Sequence, residues 1–275
     1  MKNWFFSARL ITLLMLIPTA CAPTAPTVTL VPTQEQEPLP TMTPLSVTPV
    51  ESAFAPGPTT APLDDIIASH AVTFDTADGA TVSGEVYGSG TTAVIFSVMG
   101  NCKPGWREFA QLTAAQGFMA LTYQWHGCGE SGSANETELQ KFVDDTRAAI
   151  DFVREQGAEK VILVGASLGG VASAKLAIES QASGLVVLAS PPSIPQWGFE
   201  IQPADLDIDI PKLFITAESD STVSADETRT LYDWATEPKE WQSYPGSAHG
   251  TDLFEGENKA ELEQLLLGFL LKIGP

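Results

Sequence analysis

Short apolar segments rich in β-branched residues alternate with amphipathic segments from about residue 63 to the end of the chain. The apolar runs predict buried strands, and the amphipathic segments between them predict helices. The predicted strands cover 72–74, 81–87, 93–98, 118–123, 160–164, 184–188, 212–217 and 240–244. The predicted helices cover 106–116, 137–156, 168–179, 225–234 and 262–271. After an opening hairpin around Asp78-Gly79, this alternation predicts an α/β fold with a mostly parallel sheet of about eight strands and helices on both faces.

One of these strands leads directly into Gly165-Ala166-Ser167-Leu168-Gly169, and a predicted helix follows. Strand, sharp turn, serine and helix form the context in which a Gly-x-Ser-x-Gly motif presents a nucleophile. The two glycines allow the backbone to turn tightly at Ser167, and the helix directs N–H groups towards an oxyanion formed there. The motif therefore predicts a catalytic serine, and the alternative is a tight turn without chemistry.

A nucleophile of this kind requires a general base and an acid, which follow it in the chain. His249 is the histidine that follows Ser167, and it lies in a loop of small residues after the last predicted strand. The loop after the preceding strand offers two carboxylates, of which Asp220 is our first choice and Glu218 the second. The acid would orient the imidazole and stabilise its charged form. In a chain this acidic, both could also be solvated loop charges.

These motifs resemble those of the α/β-hydrolase superfamily, and the likeness covers about residues 68–275. The matching segments are the serine motif, Ala217-Glu-Ser-Asp-Ser-Thr-Val223 at the acid and Gly246-Ser-Ala-His-Gly250 at the base. The resemblance implies a triad of Ser167, Asp220 and His249, which uses no cofactor. It also implies an oxyanion hole made by the backbone N–H groups of Asn101 and Leu168. Met99 stands where the family usually has a histidine, but a backbone donor does not depend on that side chain.

Two further segments concern the surroundings of this site. The segment 190–210, where hydrolases of this fold often insert a lid, is too short for a cap domain and predicts an open site. Aromatic side chains near it are possible pocket walls, or else packing residues: Trp197, Phe199, Trp106 and Trp125. In the segment 124–131 the family's charged pair is replaced by Gln124 and His126. Because no ligand cluster accompanies His126, we predict no metal and interpret this residue as structural or close to the substrate.

The N-terminal region predicts export. Residues 1–20 combine a basic start, a short apolar run and small residues, as a signal peptide does. Cys21 follows Thr19-Ala20 and resembles the lipidated cysteine of bacterial lipoproteins, although Pro18 replaces the usual leucine and leaves ordinary cleavage open. Residues 22–62 are rich in Pro and Thr and predict a disordered, extended stalk. A hydrolase domain over 63–275 would then be anchored outside the cell membrane by its N-terminal lipid.

The two remaining cysteines, Cys102 and Cys128, each follow a predicted strand. In the hydrolase sheet these two strands are neighbours, so the resemblance implies that both cysteines lie on the rim beside the active site. We therefore predict a disulfide between them, which oxidising surroundings would preserve. The alternative is a pair of free thiols.

The formal net charge of −20 at pH 7 excludes nucleic acid and anionic membrane surfaces as partners. The residues together favour a serine esterase that acts on a small-molecule or exposed acyl substrate. A peptidase or amidase of the same superfamily is the alternative within enzymes. From a different class, the chain could be a non-catalytic surface binding protein on a hydrolase scaffold.

Overall fold

The computed structural model describes residues 67–98, 105–125, 127–128 and 141–275. All of them belong to the compact unit Thr60–Pro275. Several predictions fall outside the described residues: the signal peptide, the stalk and the positions Cys21, Asn101, Cys102 and His126.

Ten strands and five α-helices make up the regular structure of the described residues. The strands are β1 Ser69–Asp75, β2 Thr81–Tyr87, β3 Thr92–Val98, β4 Met119–Gln124, β5 Lys160–Ala166, β6 Gly184–Leu188, β7 Ser193–Ile194, β8 Phe199–Glu200, β9 Lys212–Ala217 and β10 Lys239–Tyr244. The helices are α1 Arg107–Ala115, α2 Phe142–Glu155, α3 Leu168–Leu176, α4 Ala225–Trp234 and α5 Lys259–Ile273. None of these helices has the length and apolar character needed to cross a membrane.

Eight of these strands form one sheet in the order β1-β2-β4-β3-β5-β6-β9-β10. The pairs β1–β2 and β2–β4 are antiparallel, and every pair from β4 to β10 is parallel. The predicted α/β fold with a mostly parallel eight-stranded sheet and an opening hairpin is therefore confirmed. Strands β3 and β4 are neighbours, as the resemblance implied.

The central strands are buried on both faces because helices cover each side of the sheet. Side chains alternate between the faces along a strand. Leu163 and Val187 face a core that includes residues of α2, α3 and α4, whereas Val164 and Leu188 face one that includes residues of α1 and α5. Burial on both faces explains why these strands appear in the sequence as continuous apolar runs.

Helix ends differ more from the predictions than strands do. Helix α3 ends at Leu176, three residues before the predicted end. In the turn that follows, the Ser180 hydroxyl donates to the Leu176 carbonyl at 2.7 Å and Gln181 adopts a φ of 53°. Helix α5 begins at Lys259, earlier than predicted, because its polar first turn carries no apolar signal. Helix α2 begins at Phe142. Residues 137–140, which were predicted to form the first turn of this helix, lie outside the described residues.

The segment 190–210 forms no cap domain. It contains the short β7–β8 ribbon and two 3₁₀ turns, at Pro195–Trp197 and Pro203–Leu206. Ile201 and Leu206 are completely buried in the core, and the Lys175 ammonium of α3 donates to the Glu200 carbonyl at 2.8 Å. The segment is therefore packed against the domain, in agreement with the minimal lid predicted from its length.

Candidate active site

Ser167 occupies the turn between β5 and α3 and adopts φ 54° and ψ −125°. A residue with a side chain rarely adopts a positive φ, and it does so only where its surroundings enforce the conformation. One such constraint is the hydrogen bond from the Ser167 N–H to the Leu188 carbonyl of β6, at 2.9 Å. The turn thus holds the serine at the carboxyl end of the sheet, at the point where β5 becomes α3.

Glycines allow the strand and helix on either side of Ser167 to approach each other closely. A Cβ atom at Gly165 would lie 2.1 Å from the Gly169 carbonyl oxygen and 2.4 Å from the Gly170 nitrogen. These are backbone atoms, which cannot move aside as the end of a flexible side chain can. The glycine at this position is therefore required by the close contact between β5 and α3.

A hydrogen bond of 2.7 Å joins His249 Nδ1 to Asp220 Oδ2. The Asp220 side chain is 0% exposed, and its other oxygen accepts the backbone N–H groups of Thr222 at 2.8 Å and Val223 at 3.1 Å. Three hydrogen-bond contacts therefore fix the position of a fully buried carboxylate. Glu218 is exposed, so the structure brings our first choice of acid, and not the second, to His249.

The loop that carries His249 lies between the acid loop and the serine turn. On one side, the Ser219 N–H donates to the Gly246 carbonyl at 2.9 Å. On the other side, a Cβ atom at Gly250 would lie 3.6 Å from the Ala166 Cβ. The three predicted triad residues therefore come from loops in contact with one another.

The serine and the histidine are not hydrogen-bonded to each other. Within the described residues, the Ser167 hydroxyl forms no hydrogen bond, and the side-chain bond of His249 is the one to Asp220. Bonds between nucleophile and base are commonly long without substrate and tighten when it binds. The structure thus joins Asp220 and His249 directly and places the turn of Ser167 beside their loops.

Of the predicted oxyanion donors, Leu168 is the first residue of α3. The N–H groups of a helix's first turn have no carbonyl partner within the helix and lie at the positive end of its dipole. The Leu168 N–H therefore has the chemistry that an oxyanion donor needs. The second predicted donor, Asn101, lies outside the described residues.

The four aromatic residues named above as possible pocket walls differ in their exposure. Trp106 is 1% exposed and donates its indole N–H to the Ser97 carbonyl at 3.2 Å. Phe199 and Trp125 are also buried, and Trp125 packs edge-on against Phe142. These three side chains fill the cores, which is the packing alternative left open above. Trp197 is half-buried, and its role as a pocket wall stays a prediction.

Cys128 is buried and disulfide-bonded. Its predicted partner, Cys102, lies outside the described residues, so the pairing stays a prediction. No group of three or more His, Cys, Asp or Glu side chains in the part of the chain that the structure describes is arranged to hold a metal ion.

Two hydrogen-bonded features, one at Asp220 and one in the core, were missed in the sequence. The bond from the Thr222 N–H to Asp220 has the Asx-turn spacing of two residues, so the sequence did carry a signal for it. The other is a buried network in which the Tyr123 hydroxyl contacts the hydroxyls of Ser97 and Thr146 at 2.8 and 2.7 Å. Burial raises the pKa of Tyr123, which keeps its hydroxyl neutral. No sequence pattern brings these three together, because they lie on β3, β4 and α2.

Comparison with known families gives one partial match. A family model described as serine aminopeptidase, S33, matches residues 93–204, which is less than half of the chain. This region includes Ser167 and ends before Asp220 and His249. Curated protein sequences give no match.

Solved structures give broader matches at low sequence identity. The esterase domain of a Rhodothermus marinus protein is 19% identical, with a TM-score of 0.60, over 74% of this chain and 97% of that one. The Pyrococcus furiosus esterase Pf2001 is 16% identical, with a TM-score of 0.61, over 75% and 93%. XC6422 from Xanthomonas campestris, an α/β serine hydrolase without lid, is 16% identical, with a TM-score of 0.58, over 74% and 94%. The chain therefore has the α/β-hydrolase fold.

Proposed function

We propose that this protein is a serine hydrolase that cleaves carboxylic esters with Ser167, His249 and Asp220. The observation that carries the proposal is the 2.7 Å bond between His249 and the buried Asp220. The loop that carries His249 also contacts the turn of Ser167. A binding protein has no need of a buried carboxylate that orients a half-buried histidine beside a serine in a strained turn. The similar fold of two esterases and a serine hydrolase supports the same proposal.

In the proposed reaction, the Ser167 hydroxyl attacks the ester carbonyl while His249 Nε2 accepts its proton. Nδ1 of His249 donates to Asp220, which fixes the tautomer and stabilises the imidazolium. The N–H groups of Leu168 and Asn101 bind the negative oxygen of the tetrahedral intermediate. The intermediate collapses, the alcohol leaves with the proton from His249, and the acyl group stays on Ser167. Water, activated by His249, then releases the acid and restores the serine.

The matched family model favours a second candidate, a serine aminopeptidase. Both candidates use the same three residues and differ in the bond that is cleaved. Hydrolysis of p-nitrophenyl butyrate but not of aminoacyl p-nitroanilides would favour the esterase, and the reverse would favour the peptidase.

The proposed place of action is outside the cell membrane, with Cys21 as the lipid anchor and a Cys102–Cys128 disulfide on the domain. The disulfide-bonded state of Cys128 supports the second of these. Non-reducing peptide mapping tests the pairing, and the mass of the N-terminal peptide from membranes tests the lipid. A Cys21→Ser variant that remained in the membrane fraction would contradict the anchor.

The first experiment treats the full-length protein with a fluorophosphonate probe and locates the modified residue by peptide mass. We expect stoichiometric labelling of Ser167, because the probe reacts with activated serines. Labelling should disappear in Ser167→Ala and in His249→Ala. His70→Ala is the matched control, since His70 is an exposed residue of β1 and should leave labelling unchanged. A folded wild-type protein that is not labelled would contradict the proposal.

A further inference from the structure

A buried serine lies directly behind the turn of Ser167. Ser190 follows β6 by two residues, is 0% exposed, and donates its hydroxyl to the Leu188 carbonyl at 3.1 Å. The same carbonyl accepts the backbone N–H of Ser167 at 2.9 Å. One oxygen atom therefore holds both the nucleophile's backbone and the Ser190 side chain.

Ser190 also contacts the first turn of α3. A Cβ atom at Gly170 would lie 2.0 Å from the Ser190 hydroxyl and 2.9 Å from its Cβ. The absence of a side chain at Gly170 is what leaves room for this serine. Ser190 thus touches both structures on which the nucleophile depends, the β6 carbonyl and the helix that begins at Leu168.

A second buried hydroxyl connects Ser190 to the acid side of the site. Thr228 of α4 is 0% exposed and donates its hydroxyl to the Ser190 carbonyl at 3.2 Å. Helix α4 begins after Ser224, whose side chain and Glu227 form a capping box. Thr222 and Val223 directly precede that cap, and their backbone N–H groups donate to Asp220. Thr228 therefore links the helix that follows the Asp220 loop to the strand end beside Ser167.

From these contacts we infer that Ser190 and Thr228 are positioning residues, which together fix the separation between the Ser167 turn and the Asp220 loop. The inference rests on the proposed function. Packing alone does not account for the two hydroxyls, because valine or alanine would fill similar volumes without burying a polar group. A buried polar pair that is fully hydrogen-bonded specifies one arrangement of the elements it joins.

Loss of the hydrogen bond from Thr228 to the Ser190 carbonyl is expected to slow catalysis because it changes the separation between the Ser167 turn and the Asp220 loop. Without the Thr228 hydroxyl, the start of α4 is free to shift relative to β6, and Asp220 and His249 shift with it. Misplacement of catalytic groups by about 1 Å costs on the order of 10²-fold in rate. Substrate binding does not require this alignment, so the effect should fall on kcat and spare KM.

The test compares three variants of the full-length protein. Thr228→Val keeps the shape but removes the hydroxyl, Thr228→Ser keeps the hydroxyl, and Thr230→Val makes the same change at a threonine that bonds within the helix, to the Asp226 carbonyl at 2.9 Å. The measurements are kcat and KM for p-nitrophenyl butyrate, the fluorophosphonate labelling rate and the urea unfolding curve. We expect Thr228→Val to lower kcat and the labelling rate by about tenfold or more, with KM unchanged within about twofold. Thr228→Ser should restore most of the rate, and Thr230→Val should resemble wild type.

Three outcomes would overturn the inference. In the first, Thr228→Val turns over at the wild-type rate. In the second, Thr228→Ser is as slow as Thr228→Val. In the third, the lost rate matches the unfolded fraction read from the urea curve. If Thr228→Val does not fold, Ser190→Ala takes its place with the same criteria. If the wild type is active and Thr228→Val has the same kcat, this inference alone is contradicted. If the wild type is neither labelled by the probe nor active, the proposed function is contradicted as well.

Discussion

The turn of Ser167 and the Asp220–His249 pair are held in place by different means. At the turn, backbone geometry dominates: Ser167 has φ 54°, and Gly165 faces the backbone of α3 with no room for a Cβ atom. At the pair, hydrogen bonds dominate, since the buried Asp220 accepts from two backbone N–H groups and from His249. The first region is fixed by steric exclusion and the second by polar contacts.

The difference implies different responses to mutation. Steric exclusion tolerates no added atom, so substitutions that add an atom at Gly165 should lower stability. A hydrogen-bonded pair keeps its shape when one polar group is replaced by another of equal size, so changes there should affect rate alone. The predictions below test this separation.

The largest expected effect comes from removing the proposed nucleophile, Ser167. Ser167→Ala should lower kcat on the order of 10⁶-fold, the effect of removing the nucleophile of a serine hydrolase. Its Tm should stay at the wild-type value, because the backbone of the turn can adopt the same conformation with alanine. Turnover of p-nitrophenyl butyrate and a thermal melt measure both. Activity close to wild type would refute the assignment of Ser167.

The next effect comes from the acid. Asp220→Asn keeps the size of the side chain but favours the wrong tautomer of His249, so kcat should fall on the order of 10⁴-fold. Glu218→Gln makes the same chemical change two residues away on an exposed side chain and should leave kcat unchanged. The ratio of the two variants decides which carboxylate serves the histidine. Equal losses would mean that loop charge, and not the bond to His249, is responsible.

A smaller effect, on stability, is expected at the turn. Gly165→Ala forces a Cβ atom to within 2.1 Å of the Gly169 oxygen, and should lower the free energy of unfolding by about 3 kcal/mol. Gly256→Ala is the control, because nothing lies within 4 Å of a Cβ atom at that position. Urea unfolding of both variants measures the difference. Equal stabilities would show that β5 and α3 can separate without cost.

The smallest effect concerns Ala189, which has φ 46° at the end of β6. Ala189→Gly removes a buried methyl group but also relieves a left-handed conformation that alanine tolerates poorly. Ala172→Gly removes a methyl group of equal burial from the regular helix α3. We expect the first variant to be more stable than the second by about 1 kcal/mol in urea unfolding. The opposite order would mean that the backbone at Ala189 carries no strain.

The sequence predicted the parts of the molecule that local patterns encode. Strands β6 and β9 and helix α4 have the predicted bounds. Their signals, an apolar run for each strand and a capping box for the helix, are formed by residues close together in the chain. The sequence alone left the choice between Asp220 and Glu218 open, since both residues follow β9. The fold distinguishes them, because it buries Asp220 and leaves Glu218 exposed. Ser190 and Thr228 carry no local signal, because their significance arises from contacts between elements far apart in sequence.

The positions of Ser167, Asp220 and His249 along the chain also bear on the time at which the proposed activity can begin. Ser167 follows β5, Asp220 follows β9, and His249 follows β10, which forms one edge of the sheet. A chain made and folded from its N-terminus contains the nucleophile well before the residue that activates it. On the proposed assignment, an incompletely synthesised molecule carries an inert serine. On the same assignment, hydrolysis starts only after β10 and the His249 loop that follows it have joined the domain.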